Sequence, residues 1–216
     1  MLRQGHVTGR KRLAVVTLAA LIGLPLLAAA DDIPPSIAAL LPTGAEPGKG
    51  SFTVMESEFG KTFGADVRAS SFPGQRPSCV YAGTTELYIN IKGDTAFENP
   101  PMLDMAISIH EQEIERAPAA MSSFVSTYIK GGPDVVSVGE LREEKRPNGH
   151  IVYVEYQENC SSHPNGAKTR LSGFARRGAT QLDFQFVVAL DSAAALKMAD
   201  EILANFGKLD IASLTQ

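Results

Sequence analysis

The apolar residues of this chain recur with two spacings, and the spacing changes several times along its length. In "AAMSSFVSTYIKGG", Met121, Phe124, Val125, Tyr128 and Ile129 fall three and four apart, which predicts an amphipathic helix. Pro118 suits its first turn and Gly131 its stop. In "HIVYVEYQE" the period drops to two: Val152, Val154 and Tyr156 share one face, while Ile151 and Tyr153 make the other face apolar as well. Such a strand belongs centrally in a sheet with both faces covered. "DVVSVGELREEKR" precedes it, and Pro147, Asn148 and Gly149 between them predict a hairpin turn.

The same alternation continues in "TRLSGFARRGATQLDFQFVVAL", read as a hairpin turning near Arg177 and Gly178. Leu182, Phe184, Phe186, Val188 and Leu190 point inward and Gln181, Asp183 and Gln185 outward. "DSAAALKMADEILANFGKL" returns to the helical period, with a cap at Asp191 or Ser192, a stripe of Leu196, Ala199, Ile202, Leu203 and Phe206, and a stop at Gly207.

Nearer the start the pattern is weaker. "SFTVMESEFGKTFG" places Thr53 and Glu56 at capping-box spacing and Met55, Phe59 and Phe63 every fourth residue, which predicts a short helix ending near Gly64. "SCVYAG" and "ELYINIKG" read as strands, the second with Leu87, Ile89 and Ile91 on one face and Tyr88, Asn90 and Lys92 on the other. "MLDMAISIHEQE" alternates Leu103, Met105, Ile107 and Ile109 with Asp104, Ala106, Ser108 and His110, so it too reads as a strand. "DDIPPSIAALLPTGAEPGKGS" is rich in Pro and Gly and carries one apolar group, Ile37, Leu40 and Leu41, which suits a tether with one helical turn.

These elements predict an α+β fold: a twisted antiparallel sheet with amphipathic helices packed against it, one on each face as an α/β/α sandwich. The domain organisation expected is a signal segment over 1–30, a tether over 31–51 and one α+β domain over 52–216. The order of helix, four-stranded meander and closing helix over residues 102 to 210 resembles the PsbP-like α/β/α sandwich of exported bacterial and photosynthetic proteins. That resemblance rests on element order without a diagnostic motif. It implies a non-enzymatic accessory or binding role and assigns no site residue.

The first 30 residues change the picture of where the protein works. Arg3, Arg10, Lys11 and Arg12 precede the apolar run "LAVVTLAALIGLPLLAAA", which ends in small residues before Asp31 and Asp32. This is the pattern of a secretory signal peptide cleaved after Ala30, and it predicts a periplasmic or secreted protein with no stable membrane insertion after its removal. Cleavage takes four of the 20 basic residues and none of the 24 acids, so the net charge moves from −4 to −8. An acidic balance excludes capture of nucleic acid by a basic surface.

Only Cys79 and Cys160 are present, and in an oxidising compartment they form one disulfide most simply. A cross-link over that separation contributes about 4 kcal/mol in the chain-entropy account. "CSSH", Cys160 to His163, is a rival half of a zinc site that lacks a second pair of ligands.

Catalytic patterns fail at named positions. "GAEPGKGS" imitates a phosphate loop, but Gly44 and Gly48 stand one residue too close and Gly50 replaces the magnesium-binding Ser or Thr. His110 and Glu111 begin an H-E-x-x-H pattern in which Ile114 takes the second His position. His150 and His163 fall beside turns, and the carboxylate pairs Glu111 and Glu113 and Glu143 and Glu144 lie in charged connections. Tyr81, Tyr88, Tyr153 and Tyr156 suit sheet packing or an aromatic binding face.

No catalytic, metal or cofactor set is assigned. Arg170, Arg176 and Arg177 concentrate positive charge near one hairpin of an acidic protein and form the candidate patch for an anion or a partner. The expected function is that of a cell-envelope binding or accessory protein, with an envelope protein or small ligand as partner. The alternative is a hydrolase or metal-dependent enzyme built on His110 or His163 with acids distant in sequence.

Overall fold

The computed structural model describes residues 33–57, 60–71, 87–94, 116, 118–132, 134–159 and 166–215. Expectations for the signal segment, for Cys79 and Cys160, for His110 and His163, for Glu111 and Glu113, for Tyr81 and for the strands at 78–83 and 102–113 lie outside them.

The architecture is α+β. Among the described residues eight strands, β1 (Glu46–Ser57), β2 (Gly60–Ser71), β3 (Leu87–Asp94), β4 (Val135–Val138), β5 (Arg142–Arg146), β6 (Gly149–Glu158), β7 (Gly166–Arg177) and β8 (Thr180–Val188), form one sheet. Its order is β1-β2-β3-β8-β7-β6-β4, with β5 also on β6, and all pairings are antiparallel. β4 and β5 lie end to end along β6 as one edge interrupted at 139–141, where the Gly139 N–H reaches the Glu155 carbonyl at 2.8 Å. The two halves of the sheet meet where β3 pairs with β8, with Asn90 opposite Asp183.

Helices cover both faces. α1 (Pro35–Ala38) and α3 (Ser192–Lys208) lie on one side; α2, an α-helix over 118–124 that widens into a π turn at Val125–Ile129, lies on the other. The Asp191 carboxylate caps α3 by accepting from the Ala194 N–H at 2.9 Å. The cores divide along β6 as its alternation requires. Ile151 and Tyr153 join Ala195, Ala199, Ile202 and Phe206 in the larger core, while Val152, Val154 and Tyr156 join Met121, Val125 and Ile129 in the smaller.

Three expectations are corrected. The short helix expected within 51–64 and ending near Gly64 is instead the β1–β2 hairpin, with Val54 opposite Phe63 and Met55 opposite Thr62. Phe63 is buried and Met55 is 55% exposed, so they do not share a helical stripe. A second pattern wins there: Phe63, Ala65, Val67 and Ala69 alternate along β2 and fill the larger core, which outweighs a weak local helix signal.

The segment read as a tether contributes Ile37, Leu40 and Leu41 to that same core, and its last residues begin β1. Prolines there shape a docked turn rather than a spacer, since burying three large aliphatic side chains outweighs the ordering cost. Gln181 was expected to face outward, but it is 1% exposed. Its Nε2 donates to both Asp183 oxygens at 2.8 Å, which makes burial of the amide tolerable, while its Oε1 has no partner. Among the described residues no helix is long and apolar enough to cross a membrane.

Candidate functional site

The three arginines of the candidate patch do not converge. Alternation along β7 sends Arg170 and Arg176 to the α2 side of the sheet and Arg177 to the α3 side. Arg177 is engaged structurally: Nη1 donates to the Phe206 carbonyl at 2.6 Å and to the Leu209 carbonyl at 2.8 Å, closing the C-terminal end of α3, and its guanidinium lies 5.8 Å from the Phe206 ring. Arg176 pairs across the ladder with Gln181, six residues and about 20 Å along the strand from Arg170.

Arg170 stands apart chemically. Its guanidinium carbon sits 3.4 Å from the centroid of the Phe124 ring on α2, and Nη2 approaches Gln185 Oε1 at 3.4 Å on β8. Nε is buried with no acceptor. Burial pushes the Arg170 pKa down, against a smaller opposing effect of the Tyr156 hydroxyl. Lys168, two residues away on the same face, is instead paired with Glu158.

A buried guanidinium with a donor to spare and a ring beneath it favours a planar anion, because a carboxylate or phosphate would supply both charge and acceptors. Phe124 lies in the last α-helical turn before the π widening of α2, and that helix end sets the ring against the sheet.

A recess of about 280 Å³ opens where the β4–β5 edge is interrupted, lined by Ser137, Glu140, Arg142, Tyr153, Glu155 and Ser192 among others. Its polar groups serve the fold. Glu155 Oε2 accepts from the Ser192 N–H at 3.0 Å, and Ser137 Oγ donates to Gln157 Oε1 at 3.2 Å. The Tyr153 hydroxyl donates to Glu144 Oε1 at 2.9 Å, and Arg146 Nη1 donates to Glu144 Oε2 at 2.8 Å.

The Arg146 and Tyr153 bonds hold the Glu144 carboxyl below its usual range. Burial and the adjacent Glu144 carboxylate raise the Tyr153 hydroxyl. A carboxylate kept ionised and a phenol kept neutral form a stable structural bridge; neither is poised to take or give a proton near neutrality. Another recess of about 270 Å³, chiefly apolar, is lined by Pro147, Leu203, Ala204 and Phe206 together with Arg146 and Arg177.

The remaining sequence candidates separate. Glu143 and Glu144 fall on opposite faces of β5: Glu143 Oε2 lies 3.4 Å from His150 Nε2, while Glu144 serves Arg146 and Tyr153. They do not work as an acid and base pair. Tyr153 and Tyr156 likewise point to opposite faces of β6 and line no common surface. Among the described residues no group of three His, Cys, Asp or Glu side chains could hold a metal ion. The contact between Phe124 and Arg170 was not legible in the sequence, because 46 residues separate the two and no local pattern links a helix ring to a strand cation.

The chain matches no protein-family model, no curated protein and no solved structure.

Proposed function

We propose that the protein is an exported binding or accessory module of the cell envelope that works without catalysis and receives an anionic group at Arg170. The observation that carries this reading is the guanidinium stacked on Phe124 with a buried Nε lacking an acceptor and, among the described residues, no carboxylate paired with it. A buried polar group without a partner costs about 1–3 kcal/mol, more for a charge, and a bound carboxylate or phosphate recovers that cost. Export rests on the basic and apolar pattern of residues 1–30. The accessory role agrees with the PsbP-like resemblance in element order and with the structural use of the acids, hydroxyls and Arg177 described above.

The test is a comparison of wild type with Arg170→Gln and with Arg176→Gln. Acetate and inorganic phosphate are titrated against each while amide shifts of Phe124 and Gln185 are followed by NMR, and an envelope extract is passed over each immobilised protein. Wild type and Arg176→Gln should respond alike and Arg170→Gln should lose the response. Identical shifts and identical captured proteins in all three would overturn the anion site. Reproducible turnover of a generic ester or peptide by the wild type would overturn the non-catalytic reading.

A further inference from the structure

We propose that the chiefly apolar recess of about 270 Å³ beside the C-terminal end of α3 binds a short aliphatic carboxylate, its chain in the recess and its head group on Arg177. The inference is independent of the Arg170 site, because alternation along β7 places the two arginines on opposite faces of the sheet. Every residue that lines the recess is described.

The hollow follows from small side chains on facing elements. Gly149 of β6 pairs with Ala175 of β7, while Ala204 and Gly207 lie near the end of α3, so four lining positions carry a methyl group or none. A side-chain atom added at Gly207 would meet nothing within 4 Å. Leu203 and Phe206 supply the larger apolar walls. The space lies at the small end of ligand pockets, and at roughly 30 Å³ for a water-sized group it suits an acyl chain of about eight carbons.

The charged side chains that line it are Arg146, Asp200 and Arg177. Arg146 and Asp200 neutralise each other, with Nε donating to Oδ1 at 2.7 Å and Nη2 approaching Oδ2 at 3.5 Å, and Arg146 Nη1 donates to Glu144. Arg177 is held differently. Among the described residues its acceptors are the Phe206 and Leu209 carbonyls, and Nη1 serves both. Carbonyl dipoles orient the guanidinium without cancelling its charge. The parallel N–H groups of Nε and Nη2 remain as the fork that takes a carboxylate through two bonds. Anchoring through Nη1 also preorganises that fork, so little side-chain freedom is lost when a ligand binds. A fixed cation at an apolar recess selects an amphiphile with a negative head over a neutral or cationic one.

The test titrates octanoate, octanol and octylamine against the purified protein while amide shifts of Leu203, Ala204 and Gly207 are followed by NMR. Octanoate should bind at least tenfold more tightly than either control. Arg177→Lys keeps the charge and loses the fork, so it should weaken octanoate at least fivefold and leave octanol unchanged. Ala204→Trp, at an exposed position of α3, should fill the recess and abolish octanoate binding with an unchanged circular dichroism spectrum. No response to octanoate up to millimolar concentration, octanol or octylamine binding as tightly, octanoate shifts confined to Phe124 and Gln185, or an affinity indifferent to both substitutions would each overturn the proposal.

Discussion

Arg146 Nε donates to Asp200 Oδ1 at 2.7 Å, a polar contact between the β5–β6 edge of the sheet and the middle of α3. Nη1 of the same guanidinium holds Glu144, and Glu144 in turn holds Tyr153. The cluster is partly exposed, so its worth is that of a screened network rather than of a buried pair. Its electrostatics nevertheless carry a definite sign. The Glu144 pKa is depressed in the folded protein, so its contribution is complete above the ordinary carboxyl value of 4.5 and drains away as pH falls below it. Glu144→Gln should therefore flatten the fall of melting temperature with acidification in that window. A curve parallel to that of the wild type would refute the coupling.

Tyr156 gives the opposite limb. Burial in the smaller core, then the nearby Glu158 carboxylate, raises its pKa well above the ordinary 10. A folded state that keeps its proton longer than the unfolded chain loses stability as pH rises past the unfolded value. Tyr156→Phe should resist alkaline unfolding above pH of about 10 better than the wild type, measured by circular dichroism during a base titration.

Arg177 belongs to the α3 terminus. Arg177→Ala leaves the Phe206 and Leu209 carbonyls without this donor and should cost about 1–3 kcal/mol in denaturant unfolding. Arg177→Lys should recover only part of that, because an ammonium does not reproduce the planar fork of a guanidinium. Full stability in Arg177→Ala would refute this role at the end of α3.

Ile37 tests whether the Pro-rich segment is structural. It is fully buried against the larger core, and Ile37→Ala should destabilise by about 2–5 kcal/mol. A tether would tolerate the change with no shift in the unfolding midpoint.

Where a strand's own alternation reaches two cores, the sequence is an accurate guide. β6 is the clearest case: the faces read from Ile151, Val152, Tyr153, Val154 and Tyr156 are the faces observed, and they dictate a helix on each side. Asp191 and the two-residue turn between Arg146 and Gly149 are local chemistry and were equally visible. Legibility fails where a distant partner decides. Thr53, Glu56 and the spacing of Met55 and Phe63 satisfy a helix rule locally, yet the hairpin buries the alternating residues of β2 against α1 and β3. The Pro-rich segment looked like a spacer because the acceptors of its three aliphatic side chains lie on strands far along the chain. The same limit applies to function: Arg176 and Arg177 are neighbours in sequence and on opposite faces of a sheet, whereas Arg170 meets the helix that makes it distinctive.

The seam between β3 and β8 has one further consequence, which concerns time rather than shape. Asn90 waits for Asp183, 93 positions later (183 − 90), before the two halves of the sheet can join, and the helix that covers the larger core follows at Ser192–Lys208. A chain that emerges from its N-terminal end can assemble the β1–β2 hairpin early, but it cannot enclose its core until nearly all of these residues are present. Delayed closure of this kind leaves the apolar face of the early hairpin uncovered for most of the chain's synthesis.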